Sequence, residues 1–358
     1  MASVNPKPGI MDILPYKGGE AKVDGISRLV RLASNENPLG CSEKAKKIYI
    51  NGADGLFRYP DGGAEALRFS LAQHYNINQE QIVCGAGSDE LISLLIRAYA
   101  GVGDEVLYSQ HGFLMYPIGA KAVGATPVAA PETNLRADVQ AILERVTEKT
   151  KLVFIANPNN PTGSYLTRDE LKTLQAGLPE HTLLIIDAAY AEYIDLDVYS
   201  SGIDLVEEHN NTVMLRTFSK IYGLAGVRLG WGYFPKHVAD VINRVRGPFN
   251  VSVPAQEAGV AALSDQDFVK RSKEHNTKWL PWVSEQLQDF GLTVHPSVGN
   301  FILVDFGKTS EEKRLALKKQ GIFVRQMGAY GLPSCLRITI GTEEENHLLV
   351  TGLGKIYL

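Results

Sequence analysis

The 358-residue sequence is poor in cysteine and has no strong imbalance of charge. Its three cysteines, Cys41, Cys84 and Cys335, lie far apart and in no CxxC or Cys/His pattern. We therefore expect reduced thiols, with neither a disulfide framework nor a metal site. The net charge is −4 and no block of like charges occurs, which argues against a nucleic-acid-binding protein, because such a protein carries a basic stripe or patch.

Long apolar runs are also missing. No stretch of about 18 consecutive apolar residues occurs, and the N-terminal segment lacks the apolar core of a secretion signal. We therefore expect a soluble, cytoplasmic protein that does not associate with membranes.

Short apolar runs alternate with helical stretches from about residue 64 to about residue 250. The runs are mostly continuous, as is typical of strands buried on both faces, and they cover 81–84, 105–108, 126–129, 151–156, 183–187, 212–216 and 230–234. This alternation predicts an α/β domain with a mostly parallel central sheet flanked by helices.

The pattern changes after residue 253. A long helical stretch over 253–288, interrupted by Pro281, precedes apolar runs at 300–305, 321–325 and 335–340, which predicts a smaller α+β domain. The first 35 or so residues are rich in Pro and Gly and show little periodicity. The predicted division is an N-terminal arm with little regular structure (1–38), a large domain (39–252) and a small domain (253–358).

Ligands of open parallel sheets bind at the carboxyl ends of the strands. After the run at 81–84 comes GAGSDEL, where Ser88 and Asp89 open a helix and small residues expose backbone N–H groups, as in a phosphate site. One alternative is that Ser88 or Asp89 only caps the helix. A dinucleotide fingerprint is the other, but Glu90 stands where its third glycine belongs.

Polar residues follow the next two runs. NPNNPTG (157–163) is either a plain turn or a rigid loop that presents an asparagine side chain. Asp187, in DAAY, either caps a helix or pairs with a cation such as a protonated ring nitrogen, since a buried carboxylate needs a partner.

The run at 212–216 is followed by Ser219, Lys220 and Arg228, in a segment rich in Gly and Ala. These cations are either ordinary surface residues or functional ones. Desolvation and neighbouring cations lower the pKa of a lysine and allow it to form a Schiff base. An arginine here could bind a phosphate through two hydrogen bonds.

Together, these strand ends match the requirements of pyridoxal phosphate. Lys220 would bind its aldehyde, Asp187 would keep its ring nitrogen protonated, and Asn160 and Tyr190 would bond the ring hydroxyl. The predicted catalytic residues are Lys220, Asp187 and Tyr190. Phe113 would stack on the ring, and the phosphate would lie among Ser88, Asp89, Thr217, Ser219 and Arg228.

Over nearly its whole length, the sequence resembles the fold-type I aminotransferases of the aspartate aminotransferase superfamily. The motifs are NPNNPTG, DAAY, Ser219-Lys220 with Arg228 eight residues later, and LRITIGT (336–342). Within the superfamily it most resembles the histidinol-phosphate aminotransferase family, in LPYKGG (14–19), LASNENP (32–38), RYPD (58–61), GSDE (87–90), Val324-Arg325 and YGLP (330–333).

The resemblance implies a homodimer with active sites at the interface, where Tyr59 reaches the cofactor phosphate of the other subunit. It implies that Arg337 faces the substrate's anionic group and that Tyr16, Asn35, Asn160 and Arg325 complete the substrate pocket. The alternative for Arg325, at the end of a strand, is an ion pair with an acidic residue on the surface. The implied reaction transfers an amino group from histidinol phosphate to 2-oxoglutarate, giving imidazole-acetol phosphate and glutamate.

The chain departs from the family pattern twice. The family often has Asp-Glu-Ala-Tyr where this chain has DAAY, and often Pro-Thr before the stacking aromatic where this chain has QHGF (110–113). His111 is therefore either a substrate contact or a plain loop residue.

Other functions remain open at this point. The nearest is an aromatic aminotransferase acting on Phe or Tyr, or one with both activities. A decarboxylase of the same fold acting on threonine phosphate would release CO₂ without needing a 2-oxo acid. A nicotinamide-dependent dehydrogenase would show no pyridoxal phosphate absorbance, and a non-catalytic binding protein would have lost a catalytic position.

Overall fold

The computed structural model describes residues 4–15 and 28–357. The α-helices in these ranges are α1 (Glu43–Asn51), α2 (Glu65–Tyr75), α3 (Ser88–Tyr99), α4 (Met115–Val123), α5 (Val139–Leu143), α6 (Arg168–Gly177), α7 (Ile203–Glu208), α8 (Lys236–Val245), α9 (Val253–Leu263), α10 (Gln266–Asp289), α11 (Ser310–Lys319) and α12 (Glu343–Tyr357). Within the described ranges, no helix combines the length and apolar character needed to cross a membrane.

The strands in the same ranges are β1 (Val30–Leu32), β2 (Ile82–Gly85), β3 (Glu105–Ser109), β4 (Thr126–Ala130), β5 (Glu132–Thr133), β6 (Arg136–Ala137), β7 (Thr150–Ala156), β8 (Leu183–Asp187), β9 (Thr212–Thr217), β10 (Gly230–Tyr233), β11 (Thr293–His295), β12 (Phe301–Asp305), β13 (Ile322–Gln326) and β14 (Cys335–Thr339). Strands β5 and β6 form a small antiparallel pair.

Seven strands form the large sheet, in the order β2-β10-β9-β8-β7-β3-β4. The pairs β9/β8, β8/β7, β7/β3 and β3/β4 are parallel, and β10 is antiparallel to both of its neighbours. Successive residues of β7 bury opposite faces: Phe154 packs in the core under α3, α4 and α8, whereas Val153 packs under α5, α6 and α7. Burial on both faces explains the continuous apolar runs, and the predicted α/β fold with a mostly parallel sheet is confirmed.

The second sheet has the order β1-β13-β14-β12-β11 and packs against α10, α11 and α12. Its edge strand β1 pairs parallel with β13, with Val30 opposite Ile322. The arm predicted to have little regular structure thus contributes one three-residue strand, at residues 30–32. Val30 and Leu32 are buried and Arg31 is exposed. This short strand therefore buries its alternate side chains on one face of the second sheet.

The predicted interruption of the 253–288 helical stretch at Pro281 is wrong. The break lies at 264–265, where the Asp265 side chain accepts a hydrogen bond from the Phe268 N–H at the start of α10. Pro281 lies inside α10, and the loss of one backbone hydrogen bond is offset by burial of Trp279 and Val283 in the core of the second sheet. The domain boundaries at residues 38 and 252 remain predictions.

Candidate active site

Sheet topology brings the polar residues together. The carboxyl ends of β2, β7, β8 and β9 share one edge, and the antiparallel β10 starts at that edge, with Gly230 opposite both Gly85 and Thr217. A cavity of about 210 Å³ opens there, with residues of the second sheet on its far side. Of the predicted site residues it is lined by Asn35, Ser88, Asp89, Phe113, Asn160, Asp187, Tyr190, Thr217, Ser219, Lys220, Arg228, Arg325 and Arg337.

Two predicted site residues are not brought to this cavity. Tyr16 lies outside the described residues. Tyr59 is 82% exposed and stacks on Phe249 with ring centroids 4.7 Å apart. Tyr59 is thus free to contact a second molecule, but it does not line the cavity of its own chain.

Lys220 follows β9 and is half-buried in the cavity wall. Its Nζ donates to the carbonyl oxygen of Ser34 at 3.2 Å. Burial, followed by the positive charge of Arg337, lowers the pKa of Lys220 to about 8. About a tenth of its amine is therefore unprotonated at pH 7, far more than for an ordinary lysine, as a nucleophile or proton carrier requires.

Asp187 ends β8 and is buried. Its Oδ2 accepts a hydrogen bond of 2.8 Å from the hydroxyl of Tyr116, whose ring stacks on Phe154 at 4.6 Å. Burial raises the pKa of Asp187 to about 6, and the Tyr116 hydrogen bond opposes that rise. Sequence reasoning missed Tyr116 because it lies within α4 and not at a strand end; the available signal was a hydroxyl in an apolar segment, which needs a partner when buried.

The second carboxylate oxygen of Asp187 indicates which kind of group would complete its hydrogen bonding. Within the described part of the chain, Oδ1 of Asp187 is buried without a hydrogen-bond partner. It is not a helix cap, because the next helical turn, Ala191–Tyr193, begins only after Tyr190. A buried carboxylate oxygen facing a cavity fits a cationic N–H donor, and the protonated ring nitrogen of pyridoxal phosphate is such a donor.

The β2–α3 turn and Arg228 form the anion-binding end of the cavity. Gly87 precedes α3 with φ of 88° and no side-chain cap, so Ser88 and Asp89 are not the caps of this helix. The first N–H groups of α3 are left for a ligand. A Cβ on Gly87 would lie 2.5 Å from Nη2 of Arg228, so a larger residue would displace the guanidinium, and the positive φ itself favours glycine. Arg228 also contacts Ser219 Oγ at 3.4 Å and the Asp89 carboxylate at 3.3 Å.

Glu90 explains the missing third glycine. Its Oε2 accepts from the Ala86 N–H at 2.6 Å and from Asn250 Nδ2 at 2.8 Å, which ties the turn to the segment before α9. Glycine, which a dinucleotide fingerprint has at this position, could make neither of these hydrogen bonds.

Tyr190 and Arg337 are held by residues distant in sequence. The Tyr190 hydroxyl accepts from Asn35 Nδ2 at 2.9 Å, and Asn35 Oδ1 accepts from Thr339 Oγ1 at 3.2 Å. Arg337 donates to Oδ1 of Asn160 and, at 2.8 Å, to the carbonyl oxygen of Ala33. The 33–35 segment therefore bridges the two sheets beside the cavity.

Phe113 lines the cavity beside Tyr116, with the two rings edge to face at 5.9 Å. Its neighbour His111 is buried, and Nδ1 of His111 lies 2.7 Å from Oε2 of Glu132. His111 is not among the residues that line the cavity in the described ranges, so the structure does not place it as a substrate contact.

Comparison with known proteins identifies the family. The sequence model of the aminotransferase class I and II family matches residues 27–353. The chain belongs to this family. Among its aminotransferase relatives is the histidinol-phosphate aminotransferase of Paramagnetospirillum magneticum, which is 56% identical over 357 residues, 99% of this chain and 98% of the relative. The family resemblance seen in the sequence is confirmed.

Solved aminotransferase structures agree. One is the histidinol-phosphate aminotransferase of Sinorhizobium meliloti, solved in complex with pyridoxal-5'-phosphate. It superimposes with a TM-score of 0.92 at 29% identity, and the match covers 99% of this chain and 98% of that one. The aspartate aminotransferase of Thermus thermophilus with maleate gives a TM-score of 0.82 at 22% identity, covering 92% of this chain and 91% of its own, and supports the fold alone.

Proposed function

We propose that this chain is a pyridoxal-phosphate-dependent aminotransferase that transfers the amino group of histidinol phosphate to 2-oxoglutarate, a reaction of histidine biosynthesis. The observation that carries the proposal is one cavity that joins Lys220 to the unpartnered, buried Oδ1 of Asp187. The 56% identity of a histidinol-phosphate aminotransferase over almost the entire chain supports the same substrate.

The residues present fit the cofactor. Lys220 would bind its aldehyde carbon, Asp187 its ring nitrogen, and Tyr190 with Asn160 its ring hydroxyl. Its phosphate would take the N–H groups of Ser88 and Asp89, with Thr217, Ser219 and Arg228; because the Asp89 carboxylate already pairs with Arg228, Asp89 contributes through its backbone. When bound, pyridoxal phosphate accepts the amino group and withdraws electrons from the carbon that loses its proton.

Lys220 carries the proton. Because burial and Arg337 lower the pKa of its amine to about 8, Nζ can take up the proton from the substrate's α-carbon near neutral pH. The contact from Nζ to the Ser34 carbonyl oxygen keeps the amine at the cavity wall. Asp187, held by Tyr116, would stabilise the protonated ring nitrogen of the bound cofactor.

The substrate's anionic group would meet Arg337, with Arg325 beside it. Both line the cavity on the side of the second sheet, opposite Asp89 and Arg228. Arg337 is buried and fixed by Ala33 and Asn160, so its guanidinium is preorganised for a phosphate or carboxylate. Asn35 would act on the substrate pocket through Tyr190, since its amide already bonds that hydroxyl.

We further propose a homodimer, in which Tyr59 reaches the cofactor phosphate of the other subunit. Leu56, Phe57 and Tyr59 are 67%, 77% and 82% exposed, and Tyr59 stacks on Phe249, which is itself 46% exposed. Apolar side chains clustered on a surface mark a protein–protein contact. A cytoplasmic location remains a prediction.

The test is a single-turnover spectrum of the purified enzyme, mixed separately with histidinol phosphate and with phenylalanine. Loss of the aldehyde-form absorbance that is fast with histidinol phosphate and slow with phenylalanine is expected. Comparable rates would mean a broader aromatic aminotransferase, and CO₂ release without a 2-oxo acid requirement would mean a decarboxylase. Lys220→Ala is the control: turnover near that of the wild type would refute the mechanism.

A further inference from the structure

A buried histidine–glutamate pair lies behind the wall of the cavity. His111 follows β3 and Glu132 begins β5, and their side chains are only 8% and 2% exposed. The Nδ1 of His111 and the Oε2 of Glu132 are 2.7 Å apart. Neither residue lines the cavity in the described part of the chain, so the proposed reaction assigns them no role.

Glu132 gathers three donors from one short segment. Besides the imidazole, it accepts at Oε1 from the Ser109 hydroxyl at 2.5 Å and from the His111 N–H at 3.0 Å. Burial opposes the charge of Glu132, but the hydrogen bonds from His111 and Ser109 outweigh it and lower the pKa of this carboxyl. Because an ionised carboxylate only accepts hydrogen bonds, Nδ1 of His111 carries a proton.

The segment fixed by Glu132 leads directly to Phe113. The N–H of Gly112 donates to the Ser109 carbonyl oxygen at 2.6 Å, and a Cβ on Gly112 would lie 2.9 Å from that oxygen. The chain thus turns tightly between the residues bonded to Glu132 and the aromatic ring on the cavity wall. Movement of His111 would be passed to Phe113 over two residues.

The same segment also supports the 157–163 loop. Nδ2 of Asn159 donates to the His111 carbonyl oxygen at 3.3 Å and to Thr162 Oγ1 at 2.9 Å. Asn159 is buried, and the next residue, Asn160, faces the cavity. One carboxylate therefore holds, through His111, both of the loops that present Phe113 and Asn160.

We infer that Glu132 and His111 are positioning residues that set the placement of Phe113 and Asn160 against pyridoxal phosphate. The inference rests on the proposed function, because it concerns the same cavity. His111 supplies the side-chain contact that links this loop to β5.

Three variants test the pair, each in the full-length holoenzyme. Glu132→Gln keeps the size of the side chain but removes its charge, and its amide nitrogen can pair with Nδ1 only if His111 changes tautomer. His111→Ala removes the donor, and His111→Asn restores a donor near the position of Nδ1. Thr182→Val is the matched control, because it removes a buried hydrogen bond, from Thr182 Oγ1 to the Thr150 carbonyl oxygen at 2.8 Å, at the opposite end of β8.

The readouts are thermal stability, the dissociation constant of pyridoxal phosphate, the visible circular dichroism of the bound cofactor, and hydrogen exchange of residues 110–114 and 157–163 in cofactor-free protein. We expect Glu132→Gln and His111→Ala to weaken cofactor binding about tenfold, as loss of one buried hydrogen bond allows. They should also alter the dichroism, speed exchange in both loops and lower kcat with little change in KM for histidinol phosphate. His111→Asn should recover most of these values.

Thr182→Val should lower thermal stability alone. Equal loss of stability in Glu132→Gln with unchanged dichroism, cofactor affinity and loop exchange would overturn the inference and leave the pair a purely structural one. If Glu132→Gln does not fold, the comparison of His111→Ala with His111→Asn decides: failure of His111→Asn to recover overturns the inference. A wild-type protein that binds no pyridoxal phosphate would overturn the proposed function as well, whereas normal wild-type binding confines a negative result to the pair.

Discussion

Removing the hydroxyl of Tyr116 tests whether its hydrogen bond keeps Asp187 ionised. Tyr116 is fully buried, and Phe fills the same space between Phe154 and Phe113, so Tyr116→Phe removes a hydrogen bond without creating a cavity. The bond that is lost joins the hydroxyl to Oδ2 of Asp187 at 2.8 Å. Without this hydrogen bond, less stabilisation opposes the cost of burying the carboxylate, so the pKa of Asp187 should rise further.

The size of the effect follows from the charge on the acceptor. A hydrogen bond to an ionised group contributes about 1.5–3 kcal/mol, so its loss favours the neutral carboxyl by about 10- to 100-fold. The pKa of Asp187 is about 6 with the bond in place. In the proposed site the carboxylate pairs with the cofactor's ring nitrogen, so affinity for pyridoxal phosphate should fall as the pH drops through about 6 in the wild type. In Tyr116→Phe the same fall should occur about one to two pH units higher.

The assay is equilibrium titration of cofactor-free protein with pyridoxal phosphate between pH 5 and pH 9, at intervals of about half a pH unit across the range in which a buried carboxyl titrates. Tyr108→Phe is the control, because it removes the hydroxyl of a neighbouring tyrosine. The ring centroids of Tyr108 and Tyr116 are 6.5 Å apart. The control should follow the wild-type curve. If the Tyr116→Phe curve also follows it, the reasoning that Tyr116 sets the ionisation of Asp187 is refuted.

Three further predictions concern the charged groups of the cavity. Because the pKa of Lys220 is about 8, stopped-flow incorporation of pyridoxal phosphate should speed up about tenfold per pH unit below that value and level off above it; a flat profile would contradict the lowered pKa. Arg337→Gln removes a cation that lowers this pKa, so the profile should move to higher pH and KM for histidinol phosphate should rise; if neither changes, Arg337 does not act in the pocket. In cofactor-free protein, the pKa of Asp187 is higher in the folded state than in the unfolded state. Its contribution to the unfolding free energy is therefore fully present below about pH 4 and is lost as the pH rises through about 6. The unfolding free energy of the wild type relative to Asp187→Asn should therefore fall by about 3 kcal/mol over that window in urea titrations, and a constant difference would show that Asp187 is not buried as described.

The polar side chains at strand ends could be predicted because a parallel sheet has a local signature. Each strand is a continuous apolar run, and its last residue marks the edge where ligands bind. Asp187, Lys220 and Arg228 could therefore be assigned to one site before any contact was known, and all three line one cavity. The antiparallel β10 leaves Arg228 at that edge as well, since its strand begins where β9 ends.

The unpredicted features depend on contacts between distant residues. Asn35 and Thr339 are 304 positions apart, and no local pattern shows that they bond or that Tyr190 is held through them. Strand β1 has three residues, too few for a periodic signal, and it exists because β13 offers an unpaired edge. Tyr116 acts from inside a helix, where a tyrosine is ordinarily only a core residue.

The pairing of β1 with β13 has a consequence for how the enzyme is made. Residues 33–35, which contact Lys220, Tyr190 and Arg337, follow a strand whose partner is synthesised almost 300 residues later. The large sheet can form as the chain leaves the ribosome, but the wall of the cavity can form only after β13 and β14 have been synthesised. Pyridoxal phosphate can therefore be enclosed only when nearly the whole chain has been translated, so a prematurely terminated chain carries Lys220 and Asp187 without a complete site.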